Sequence, residues 1–239
     1  MATEFTADPF IDRLEELRPP GRPAPDDQAA DSGATDIFIG VRMGAVFALA
    51  KDHMNMAPDE IETLLESPIH EARVGAVSVM DWQARSRKTS KERRRALFDL
   101  YIRRHDRINT WDLVDRSAIY VVGEYLRDKP RDVLYTLARS DRPMERRTAI
   151  VSCYAFIRHG DLDDTFRIAE LLLHDDHDLV HKAVGWMLRE AGKKDETRLR
   201  AFLDAHATSM PRVMLRYATE KLDKPSRDRN LASKRADRG

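Results

Sequence analysis

Five residues along the chain can each cap the start of a helix: Ser67, Asn109, Asp141, Asp176 and Thr208. The residue six places after each start is Arg73, Asp115, Arg147, Lys182 or Met214, in steps of 42, 32, 35 and 32 residues. Paired helices at such intervals mark an α-solenoid of the HEAT or armadillo kind, in which equivalent positions line one continuous surface. The hydrophobic pattern agrees. Ile69, Ala72, Ala76, Val77 and Met80 recur with a helical period, as do Val180, Ala183, Val184, Met187, Leu188 and Ala191. Breakers fall between such segments at Ala57-Pro58, Ser67-Pro68, Lys129-Pro130, Asp141 to Pro143, His159-Gly160 and Met210-Pro211. Runs that alternate apolar and polar residues are absent, so the expected fold is all-α, a HEAT-like-repeat α-solenoid with a concave basic groove.

With 42% hydrophobic residues in 239, the chain can bury one good-sized core or one repeat array. Residues 19–36 are rich in Pro, Gly, Asp and Ala, which reads as a linker or disordered arm, and Pro9 to Leu17 can form one amphipathic turn or two. The expected organisation is an N-terminal Pro-rich arm over 1–36, a repeat domain over 37–223 and a basic flexible tail over 224–239. Cys153, the only cysteine, lies among Val151, Tyr154 and Phe156 and reads as a buried structural thiol in a reducing compartment. No apolar run reaches membrane-spanning length and no signal peptide is evident. A cytoplasmic monomer without membrane contact is expected.

The formal net charge is zero, but from Arg85 to Arg107 ten Arg or Lys residues face three acids. Such a patch attracts nucleic acid or phosphate, or else is a solvated helix face. Trp111 and Asp115 are four residues apart, which on a helix stacks them on one face. A ring face beside a lone carboxylate suits a developing positive charge; the alternative is a core tryptophan next to a surface acid. Trp111 lies four before the repeat register and Trp186 four after it. Arg212 and Arg216 flank the register where Met214 breaks it. A curved basic trough has the right shape to hold a duplex by its phosphates.

These residues resemble the AlkD-type DNA alkylation-repair family, the HEAT-like-repeat DNA glycosylases. The resemblance covers most of 37–223 and rests on Phe38-Ile39-Gly40-Val41-Arg42, Trp111-Asp112-Leu113-Val114-Asp115, Arg146-Arg147-Thr148-Ala149-Ile150 and Lys182-Ala183-Val184-Gly185-Trp186-Met187-Leu188-Arg189-Glu190. It implies a catalytic cluster of Asp115, Trp111, Trp186 and Arg147. Met144 departs from it, standing where many relatives carry a tryptophan. The implied substrate is double-stranded DNA carrying purines made cationic by alkylation at N3 or N7. Glycosidic bonds normally call for two carboxyl groups, one to protonate the leaving group. A cationic base departs neutral, so one carboxylate suffices. Asp115 would stabilise oxocarbenium charge, Trp111 and Trp186 would flank the sugar, and Arg147 would grip a phosphate. Arg73, Arg146, Lys182, Arg189, Arg212 and Arg216 are the expected DNA contacts.

His174-Asp175-Asp176-His177-Asp178 with His181 has metal-like residue types, and His177 and His181 stand four apart. The cluster straddles a helix start, where acids complement the macrodipole, so capping is the expected role and neither metal nor cofactor is expected. The expected activity is a monofunctional glycosylase. The rival readings are a non-catalytic HEAT-repeat module that binds damaged or structured DNA, and one that binds a protein partner.

Overall fold

The computed structural model describes residues 5–20 and 36–233. Regular structure among these is helical throughout, with a single isolated parallel bridge between Ile37 and Ile69. The chain divides into two compact units, Met1–Tyr125 and Leu126–Gly239.

The first unit contains α1 (Ala7–Glu16), α2 (Met43–Asp52), α3 (Pro58–Leu65), α4 (His70–Arg85), α5 (Lys91–Arg103) and α6 (Trp111–Ser117). A π-helical segment, Ala118–Gly123, follows α6 directly and leads into the short α7 (Glu124–Leu126). The breakers act as their chemistry requires. Pro58 opens α3 at a position where a missing N–H is harmless, and the Ser90 side chain accepts the amide of Arg93 to cap α5. α4 is the centre of this unit and packs against α1, α2, α3, α5, α6 and the π segment. Fourteen of its 16 residues are buried, so its polar side chains must find partners inside the protein. Glu71 shows how: it accepts the amides of Ile39 and, at 2.7 Å, of Gly40. Gly40 has a φ of 80°, a conformation that favours glycine, so this turn explains its place in Phe38–Arg42.

The second unit contains α8 (Asp132–Leu137), α9 (Pro143–Ser152), α10 (Tyr154–Arg158), α11 (Asp163–Leu171), α12 (Asp178–Gly192), α13 (Glu196–His206), α14 (Arg212–Ala218) and α15 (Lys224–Ser233). Its centre is α12, packed against α9, α10, α11, α13 and α14. At Gly185, α14 approaches so closely that an added Cβ would lie 2.5 Å from the Met214 carbonyl oxygen. Cys153 is fully buried, and burial pushes its thiol far above the ordinary range, as a structural role requires.

The helix starts read from sequence fall one to three residues before the observed caps, which are Ile69, Thr110, Arg142, His177 and Pro211. Asn109 illustrates the offset, because its side chain is occupied by Arg73 instead of by the helix amides. Within 1–36, Pro9 to Glu16 belong to a ten-residue helix, α1, which Leu17 caps and whose Phe10 and Leu14 are fully buried. Residues 21–35 lie outside the described residues, as do 234–239.

Candidate functional site

α6 presents two faces, and its short sequence sorts them. Asp112 and Arg116, four apart, turn toward α4. His70 Nε2 lies 2.7 Å from Asp112 Oδ2, and Thr110 donates its hydroxyl to the other carboxylate oxygen at 2.6 Å. Burial pushes the Asp112 carboxyl up, but His70 and Thr110 together hold it below its ordinary value. One turn later Arg116 donates to Ser78 at 2.9 Å and pairs with Asp81 at 3.0 Å. Its guanidinium also stacks on Phe47, 4.5 Å from the ring centre. Asp81 is fully buried, and burial keeps its carboxyl above the ordinary value despite Arg116 and Arg85.

With these two residues fixed inward, Trp111 and Asp115 occupy another stripe. Trp111 is exposed at 36%, unusual for a tryptophan, and Asp115 is half-buried. The core alternative for this tryptophan therefore fails.

The expectation that Arg73 contacts phosphate does not hold. Arg73 is fully buried, and its guanidinium is ion-paired with Asp36. It also donates to Asn109 Oδ1 at 2.7 Å and to the Arg107 carbonyl at 3.2 Å. Burial pushes the guanidinium below its ordinary value, and the Asp36 charge opposes the shift. Arg73 thus anchors the turn that enters α6. His70, one turn before Arg73 on α4, completes the anchor from the same face, with the Phe38 ring tilted against it, centre to centre 4.6 Å. Sequence reasoning missed His70, Asp112, Asp81 and Arg116. The spacing of His70 and Arg73, three apart on a helix, was the available signal for the first.

In the second unit, Arg147 is 5% exposed and donates to the Leu179 carbonyl in the first turn of α12. Trp186 is half-buried, its ring 6.2 Å from that of Tyr154. Met144 is buried. Arg146 is spoken for: it pairs with Asp175 at 2.6 Å and Asp176 at 3.0 Å and donates to the Ser140 and Asp141 carbonyls. Arg189 pairs with Glu190 and Glu220. Lys182 pairs with Asp178 at 2.7 Å but stays partly open to solvent. Arg212 and Arg216 are exposed; Arg212 donates to the Leu231 carbonyl.

The histidine cluster has local duties. His177 Nδ1 accepts the amide of Leu179 at the start of α12, Asp175 holds Arg146, and His181 bonds to the Asp175 carbonyl at 2.5 Å. Among the described residues no group of three or more His, Cys, Asp or Glu is arranged to hold a metal ion. No described helix is long and apolar enough to cross a membrane.

No curated protein matches the chain. Its fold is similar to that of a solved structure, a predicted DNA alkylation repair enzyme from Enterococcus faecalis. The TM-score is 0.64 with 17% identity, over 83% of this chain and 94% of that one. A model of the family described as DNA alkylation repair enzyme matches residues 13–222, and the chain belongs to that family.

Proposed function

We propose that this protein is a DNA glycosylase that releases N3- and N7-alkylated, cationic purines from duplex DNA. The observation that carries the reading is the Trp111–Asp115 stripe: an exposed ring and a half-buried carboxylate one turn apart, on a helix whose other face is locked to α4. Departure of a cationic base leaves positive charge on the sugar and needs no proton donor. A preorganised carboxylate stabilises that charge, and the nearby ring face adds roughly 0.5–2 kcal/mol of cation–π attraction. Asp115 also serves to position or deprotonate the attacking water. Under this reading Arg147 and Trp186 contribute the phosphate grip and second ring that the family resemblance implies, and no metal enters the chemistry.

The repeat reading has support in the register. Arg73, Asp115, Arg147, Lys182 and Met214 are the fourth, fifth, fifth, fifth and third residues of their helices. Lys182, Arg212 and Arg216 are the proposed duplex contacts, since each reaches solvent. Single-turnover release of N7-methylguanine or 3-methyladenine from treated duplex tests the proposal. Release by the wild-type monomer, unaffected by the absence of added metal, is the expected result. Tight binding with no release of either base would replace it with the non-catalytic DNA-binding reading.

A further inference from the structure

Half of the ten cations from Arg85 to Arg107 are ion-paired by the fold. Arg85 pairs with Asp81, Arg95 with Asp99, Arg103 with Glu62, and Arg104 and Arg107 with Glu66. Arg94 spends its guanidinium on the carbonyls of Ala84 and Ser86, at the end of α4. Among the described residues Arg87, Lys88, Lys91 and Arg93 have no carboxylate partner, and all of these but Lys91 line one cleft of about 740 Å³ between the end of α4 and the start of α5. None of the residues lining that cleft is acidic.

We infer that this cleft binds a phosphate group, and that the group is a backbone phosphodiester of duplex DNA. Its walls are rigid where they need to be. Gln83, 4% exposed, donates to the Met56 carbonyl at 2.8 Å, and Arg93 reaches the same carbonyl at 3.4 Å. Ser86 and Thr89 add hydroxyls beside the three cations. Hydroxyls and unpaired cations without a competing carboxylate are the groups that take phosphate oxygens. No aromatic ring lines the cleft, so nothing there can stack on a base; it reads charge, not sequence.

Neither Trp111 nor Asp115 lines the cleft, which sits at the end of α4 away from His70, although Arg116, next to Asp115, reaches along α4 as far as Asp81. Gln83 and His70 lie 13 residues apart on α4, about 20 Å along its axis at the rise of an α-helix. The duplex as source of the phosphate rests on the repair-family reading; the phosphate class does not.

The test uses the full chain and the double variant Arg87→Gln/Lys88→Gln, two loop residues with no ion pair whose loss would disturb folding. Inorganic phosphate is titrated while the amide signals of residues 83–90 are followed by NMR, and binding to a short undamaged duplex is measured across a salt series. The expected result is saturable movement of these signals in wild type but not in the variant. Duplex affinity should fall about tenfold at low salt, with a salt slope smaller by about one to two in magnitude. Phosphate binding with unchanged duplex affinity would keep the anion site and overturn the duplex as its source. Unmoved signals together with unchanged duplex affinity and slope would overturn the proposal. Because the DNA is undamaged, these results stand whether or not the protein releases a base.

Discussion

The Arg73 guanidinium, fully buried on α4, reaches the side chain of Asn109 at 2.7 Å, two residues before Trp111. An ion pair sealed inside unit 1 is thereby made to fix the entry of α6. The same guanidinium faces Asp36, so removal of one partner leaves the other charge buried. We expect Arg73→Met to cost about 3–5 kcal/mol in urea denaturation. Joint replacement, Arg73→Met with Asp36→Leu, should recover most of that loss. A double variant no better than the single would show that Asn109, not Asp36, is the partner that matters.

Asp112 provides a pH signature. Its carboxyl is held below the ordinary value of 3.8, so the stability it contributes is present above the unfolded value and disappears as pH falls through the folded one. Asp112→Asn should be less stable than wild type at neutral pH, and the two should converge in acid below about pH 4. Parallel stability curves across that range would show that the Asp112 carboxyl titrates alike in the folded and the unfolded chain.

Asp115→Asn keeps shape and removes charge. Lesion binding should persist while base release falls by two or more orders of magnitude, the scale of about 2.7–4 kcal/mol of lost transition-state electrostatics. Trp111→Ala should cost less, since the ring adds attraction without supplying the charge. Single-turnover excision measures both, and an Asp115→Asn enzyme as fast as wild type would move the chemistry elsewhere.

Gly185 precedes Trp186 at the α12–α14 crossing. A methyl group there would meet the Met214 carbonyl oxygen at 2.5 Å and the Tyr217 Cβ at 2.6 Å. Alanine is the better helix former by about 1 kcal/mol, but backbone cannot step aside as a side-chain tip can. Gly185→Ala is therefore expected to destabilise by about 1–3 kcal/mol in thermal melts, and an unchanged or raised Tm would refute the close contact.

Chelation supplies the last expectation. With His177 capping α12 and Asp175 holding Arg146, base release should survive EDTA. Activity lost on chelation and restored by zinc would overturn the metal-independent reading.

Helix type and order were legible because Ile69 to Met80 and Val180 to Ala191 carry a period that only a helix satisfies. The pairing of Trp111 with Asp115 was legible for the same reason. The fate of Arg73 was not. Counted from the helix starts read off the sequence, its register matches that of Lys182, yet one is sealed against Asp36 and the other is partly open, and the distinction depends on a partner 37 residues away. Arg146 and Arg189 were likewise read as cations without sight of Asp175 and Glu220. Net charge in the 85–107 stretch misled in the same direction, because its acidic partners lie mainly on α3 and α4.

The π-helical segment after α6 lets Asp115 and the residues that follow it face different ways. Val122 follows Asp115 by seven residues, and a continuous α-helix would bring the two within about 20° of a common face. Val122 is fully buried and Asp115 is not. The wide turn at Ala118–Gly123 absorbs an extra residue, worth roughly 100° of rotation, and so lets an apolar stripe and a carboxylate share one rod without sharing a side. The number of residues in this six-residue segment therefore sets the offset between Asp115 and Val122. Valine can replace isoleucine there at little cost, but deletion of a single residue would rotate Trp111 and Asp115 against the core that supports them.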